Sequence, residues 1–190
     1  MSSGTRGYHH GDLRRALLAA AVEAIGESGP GALSLRDLAR RAGVSHAAPA
    51  HHFGDKAGLL TAVAAQGFDL LADALRAADG GLLEVGVAYV GFAVEHRAHF
   101  EVMFRSDLLR ADDPELLAAQ ERSGAALHAS VAGLPADRPT ASDPQGDALA
   151  AWSIVHGFAT LWLAGALPDE VGDDPRAAAR AVIHRLFPRN

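Results

Sequence analysis

Within LSLRDLARRAGVSHAAPAHHFGDKAGLL, residues 33–60, the types and spacing of Ser45, His46, Ala47 and His51 suit contact with a polyanion. A hydroxyl at a helix N-terminus joins outward-pointing N–H groups to make a phosphate site. Histidine can hydrogen-bond a base edge or a phosphate, and an alanine methyl can meet the methyl of thymine. Arg36, with Ser34 beside it, is placed to reach a phosphate or a base, and Lys56 to anchor a phosphate. The chemistry these residues offer is recognition of double-stranded DNA.

The elements that must position them are legible in the same segment. Leu35, Leu38 and Ala39 form an apolar i, i+3, i+4 set on a first helix, with Ser34 at the N-cap position and Asp37 completing a capping-box-like pair. Gly43 ends that helix where a left-handed residue is needed, and Val44 turns back into the core. Ser45 offers a second N-cap, with a recognition helix expected from His46 to about Phe53. This is the layout of a helix-turn-helix. Ala39, Gly43, Val44, Ser45, His52, Phe53, Lys56 and Leu59 resemble the N-terminal motif of the TetR (tetracycline-repressor-like) regulators over roughly residues 10 to 60. That resemblance implies an all-helical homodimer with a DNA-binding head and a ligand-responsive body, and a packing role for His52 beside Phe53.

Two residues depart from the motif. Pro49 falls inside the expected recognition helix, where the lost N–H costs less the nearer it lies to the start. Ala50 stands where the family usually carries a tyrosine that touches the DNA backbone. The adjacent His51 and His52 diverge by about 100° on a helix and do not suit a shared metal ion. Arg6 and Tyr8-His9-His10 read either as a basic arm, comparable with minor-groove arms, or as a plain tail.

Composition narrows the function classes. The 190 residues are 49% apolar and 21% charged, ordinary for a globular protein, and contain no cysteine, which excludes disulfides and thiolate metal sites. No signal-peptide pattern opens the chain, so a cytoplasmic location is expected. The net charge of −6 divides unevenly: seven Arg/Lys against five acids in residues 1–60 give +2, and ten against eighteen in the remainder give −8. A weakly basic head on an acidic body orients the molecule on a polyanion but leaves specific contacts to carry affinity.

Period 3.6 recurs throughout, so the fold class expected is all-α, about nine helices, with a three-helix head (residues 8–55) and a helical body (residues 56–190). Helix 1 should run from about Asp12 to Gly29-Pro30-Gly31, and helix 4 from Lys56 towards Ala78 as the connector. Helices 5 and 6 should occupy Leu82 to Leu109 with a bend near His96-Arg97, helix 7 Pro114 to Ala132, helix 8 Asp147 to Ala166 and helix 9 Pro175 to Phe187, with a flexible loop from Gly133 to Gly146. Ala148 to Leu167 carries no formal charge and is long enough for a membrane span, yet its His156, Ser153, Thr160 and small residues fit a buried helix better. No membrane partner is expected.

In the body, Trp152 with His156-Gly157 resembles the Trp/His-Gly (WHG) signature of a C-terminal regulatory domain found behind TetR-type heads. Tyr89, Phe92, His96, Phe100, Met103 and Phe104 add an aromatic and Met-rich set that, with Trp152 and His156, could line an apolar small-molecule pocket. His96 and His99 stand at i, i+3 near Glu95 and Glu101, but no cysteine or further histidine completes a metal site, so neither a metal nor a cofactor is expected. No nucleophile triad, phosphate loop or carboxylate pair stands out, which argues against an enzyme. The sequence therefore reads as a transcriptional regulator, a repressor by resemblance. It would bind a palindromic operator as a homodimer held through helices 8 and 9, and a small-molecule effector would release it. The alternative is a helical protein that binds a small molecule or partner while its head no longer grips DNA.

Overall fold

The computed structural model describes residues 10–79, 81–132 and 143–186. The expected arm at Arg6, Tyr8 and His9, and most of the expected loop from Gly133, lie outside the described residues. Among the described residues there are nine α-helices and one 3-10 turn: α1 His10–Ala32, α2 Leu35–Arg41, α3 Ala48–Phe53, α4 Lys56–Ala77, α5 Leu82–Glu95, α6 Arg97–Met103, α7 Pro114–Ala132, α8 Pro144–Leu163 and α9 Pro175–Leu186, with the 3-10 turn at Asp169–Val171. The all-helical reading holds.

Several boundaries moved, each for a local reason. α1 does not simply stop at Gly29-Pro30-Gly31. Gly29 breaks it at φ 74°, ψ 165°, and Pro30 then opens one more short turn. Ser34 takes the N-cap position of α2 in extended conformation, but its hydroxyl makes no cap bond. The capping box is absent because the Asp37 carboxylate is drawn instead to Arg40 (2.5 Å) and Arg41 (2.9 Å), charge-assisted partners on its own helix face. α3 begins at Ala48, two residues later than expected, with Ala47 and not Ser45 as N-cap. Pro49 explains the shift: as the second helical residue, its missing N–H would have had no partner anyway. α6 ends at Met103, well short of Leu109, and residues 104–113 form a loop. α8 starts at Pro144, where the Asp143 carboxylate accepts the Gly146 N–H at 2.9 Å.

The expected turn between α2 and α3 is present. Gly43 takes φ 64°, and the Val44 N–H donates to Ala39 O at 3.0 Å. The bend between α5 and α6 falls at His96 (φ −116°, ψ 41°).

One buried core runs through the whole chain, from Leu17, Leu38 and Phe53 in the head, along Leu59, Val63, Phe68 and Leu75 of α4, to Phe92, Val155 and Ile183 in the body. Helix α4 is also the one described helix long and apolar enough to cross a membrane. It is mostly buried inside the protein, as a core helix must be.

Around the α3–α4 turn the backbone is packed tightly. A Cβ added to Gly58 would lie 2.0 Å from the carbonyl oxygen of Phe53 and 3.1 Å from the Arg110 guanidinium. A Gly58→Ala variant is therefore expected to lose about 1–3 kcal/mol of stability in urea denaturation. An unchanged midpoint would mean that the turn yields freely.

Candidate DNA-reading surface and ligand cavity

On the head, Ser34, Arg36, Ser45, His46, Ala47 and His51 are all exposed. Most neighbouring cations are committed elsewhere: Arg15 to Asp12, Arg40 and Arg41 to Asp37, Arg41 also to Glu27, and Arg14 to Glu115. Arg36 has no ion-pair partner among the described residues. Lys56 is half-buried, and its Nζ donates to Gly31 O at 2.7 Å, tying the start of α4 to the end of α1. His52 is half-buried with its ring 6.2 Å from that of Phe53, and the Arg14 guanidinium lies 5.5 Å from the same Phe53 ring. Ala50 is exposed.

The loop after α6 reaches back to the head. Thr61 on α4, itself bonded to Ala57 O at 2.7 Å, accepts the Arg110 backbone N–H at 2.9 Å. The Arg110 guanidinium pairs with Asp55 at 3.0 Å. Asp55 is the N-cap of α4, accepting the Gly58 N–H at 2.9 Å, and that bond together with Arg110 holds its carboxyl below the usual range.

In the body, two adjoining open cavities of about 390 and 500 Å³ share Phe68, Phe104, Gln120 and Trp152 as walls, the first between α4, α5, α7 and α8, the second between α4, α6, α7, α8 and residues 104–111. Tyr89 faces the first, Met103 and His156 the second. The aromatic rings interlock edge to face: Phe68 on Phe104 at 5.5 Å and 79°, Phe104 on His156 at 4.5 Å and 75°. Phe100 packs behind, 5.2 Å from the His156 ring, without lining either space. Phe92 and His96 stack on each other at 5.1 Å away from both cavities. Of the eight residues expected in a pocket, five line it and three do not.

The sequence reading missed Phe68 on α4, Gln120, Ser123 and His128 on α7, and Gln145 and Leu149 on α8. A signal was available. Gln120, Ser123-Gly124 and Leu127-His128 recur at steps of three and four, placing a stripe with hydrogen-bonding groups on one side of α7.

Three polar side chains meet among the rings. Tyr89 Oη lies 2.9 Å from His156 Nδ1 and accepts from Trp152 Nε1 at 3.3 Å. Burial pushes the Tyr89 phenol up and holds His156 below the ordinary imidazole value. His99 is 6% exposed, its Nε2 lies 3.2 Å from Gln66 Oε1, and its Nδ1 is buried without a partner. Burial, with His96 adding to it, lowers the His99 pKa to about 4.

An all-helical chain with a helix-turn-helix head and a cavity-bearing body belongs to the one-component regulators, in which one polypeptide carries both units. Residues 17–63 match the model of the bacterial regulatory proteins of the tetR family, and residues 82–186 that of the tetracyclin repressor-like C-terminal domain. The chain belongs to the TetR family. It is 35% identical over 108 residues to the HTH-type transcriptional regulator BetI of Rhizobium meliloti (strain 1021), a stretch covering 56% of this chain and 47% of that protein. It thus matches about half the length of that relative. A Rhodococcus sp. RHA1 protein of unknown function has a similar solved structure, with 34% identity, TM-score 0.78, and 96% and 97% of the two chains covered. AibR, solved with isovaleryl coenzyme A and operator DNA, shares the fold at 19% identity and TM-score 0.67, with 94% of this chain and 100% of AibR covered.

The depressed His99 pKa has a stability consequence. The folded state holds His99 neutral, so its contribution is complete above about pH 6.5 and is lost as the pH falls towards about 4. His156, shifted the same way, adds to the loss. The unfolding free energy from urea titrations of the native protein should fall steeply from pH 7 to pH 5, by up to about 1.4 kcal/mol per pH unit for each proton taken up. A His99→Gln variant should fall less; parallel slopes would remove His99 from the account.

Proposed function

We propose that two chains pair through the outer faces of α8 and α9 and present their heads to successive major grooves of a palindromic operator. In this reading the protein is a repressor in the cytoplasm, and a small molecule entering the body cavity releases it from DNA. Pairing is supported by what α8 and α9 leave outside: Leu161 and Val182 are 47% and 37% exposed, and Gly157 has open space where a side chain would stand. DNA binding is supported by family membership and by the exposed Arg36, Ser45, His46, Ala47 and His51, with Ser34 and Lys56 at the margins. AibR supplies a fold neighbour seen with both a ligand and operator DNA.

One observation carries the ligand-responsive part. The loop of residues 104–113 begins at Phe104, a wall of both cavities, and ends near Arg110, which grips the N-cap of α4 beside the recognition helix. A ligand that displaces Phe104 would pull on Asp55 and Thr61, tilting the head relative to its pair. Major grooves recur at about 34–36 Å, so a small tilt costs register at both half-sites. Release requires that the ligand bind the tilted state more tightly than the DNA-competent one.

A second reading, in which the head has lost tight DNA binding, is favoured by the bare Ala50 and by the inward bond of Lys56. Fluorescence anisotropy with DNA from upstream of the gene separates the two. The regulator reading expects a competitor-resistant complex that weakens with salt, and Arg36→Ala should weaken it by about 1–3 kcal/mol. No such complex at micromolar protein would favour the second reading. An Arg110→Ala variant should keep its DNA affinity but lose most of the effector response, and a full response would break the proposed link.

A further inference from the structure

Resting on the reading of the body cavity as the effector site, its lining also says which ligands it accepts. Among the described residues, neither cavity has an Asp, Glu, Lys or Arg in its wall, although ion pairs cover the surface elsewhere. A charged ligand would lose its hydration and find no counter-charge there. An aromatic box can compensate a cation with ring faces. Here Phe104 is packed by Phe68 and His156 at 79° and 75°, and no set of ring faces converges on one point as a cation box requires.

The hydrogen bonds of Tyr89 fix which polar atom His156 turns to the cavity. The indole N–H of Trp152 can only donate, so it occupies a lone pair of the Tyr89 oxygen. Tyr89 is 3% exposed, so its own O–H proton needs an acceptor, and His156 Nδ1 at 2.9 Å is the one in reach. A Nδ1 that accepts leaves the ring proton of a neutral imidazole on Nε2. The neutral form is the one favoured by burial of this histidine. His156 faces the larger cavity, and its Nε2 has no partner among the described residues. Beside the Gln120 amide and the Ser106 hydroxyl, the second cavity therefore presents the Nε2–H of His156, fixed in direction by its bond to Tyr89, in an otherwise mainly apolar, uncharged space.

We propose that this cavity takes an uncharged, mainly apolar molecule carrying a hydrogen-bond acceptor, a ketone, ester or amide carbonyl, which receives the Nε2–H of His156. Phe68, Phe104 and Trp152 clasp the apolar part, and Trp152 and Tyr89 act as positioning residues that hold the tautomer.

Four probes of matched shape test this by calorimetric titration of the full chain: acetylnaphthalene, ethylnaphthalene, naphthoate and naphthylmethyl-trimethylammonium. The ketone should bind about tenfold more tightly than ethylnaphthalene and than either ion. His156→Phe should erase the ketone's advantage while leaving ethylnaphthalene unchanged, and His156→Gln, which keeps an N–H donor, should restore part of it. Should His156→Phe unfold, Tyr89→Phe gives an independent measure, because release of Nδ1 should shrink the ketone preference alone. An ion that binds as well as the ketone, or a preference that survives loss of His156, overturns the proposal and leaves the cavity as effector site. If none of the four binds to folded protein, the cavity reading fails and the proposal with it.

Discussion

Helix α4 cannot move in the body without moving in the head, and the rest of the molecule is arranged around that constraint. Its 22 residues span about 33 Å, beginning at the Asp55 cap beside α3 and continuing under the cavity floor as Phe68, Leu71 and Leu75. The first turn is held from three directions: by its own cap, by the Lys56 ammonium on Gly31, and by Arg110 from the loop after α6. Farther along, α6 lies so close to Gly67 that a Cβ there would sit 2.7 Å from the Met103 sulfur. A rigid rod clamped at one end and overlaid near its middle transmits displacement, since a close-packed interior yields by shifting elements more readily than by compressing.

Charge is segregated to match. The outer surface is laced with ion pairs, such as Arg176 with Glu95 and the bidentate contact of Arg180 with Glu84, which fasten α9 to α5. Exposed pairs of this kind contribute little stability singly, but they use up the cations of the surface. Arg36 is left without an ion-pair partner on the head, and the body cavity is left without charge. A polyanion and a neutral small molecule would therefore address different ends of one helix, with little electrostatic cross-talk between them.

Much of this was legible in the sequence, because α2, the Gly43 turn, the His96 bend and the starts of α4, α7 and α9 are each fixed by local residue chemistry. What was not legible depended on competition between partners. Ser34 and Asp37 spell a capping box, but two arginines one turn away offered Asp37 stronger bonds. Ser45 is a good cap by type, yet the ring of Pro49 decided where α3 could begin. The aromatic cavity wall was half visible. Periodicity marks apolar residues without saying which of them face a cavity, so Phe92 and Phe100 could not be told from Phe104. The α7 contribution required knowing that α7 packs against α4.

The central claim is that cavity and head share one rigid connection. The chain has no cysteine, so a single Glu23→Cys substitution on exposed α1 gives each head one unique spin label. Pulsed electron resonance distances between paired labels should narrow to one value on operator DNA and shift when acetylnaphthalene fills the cavity. A distance that is the same with DNA, with the ketone and with neither would contradict the account.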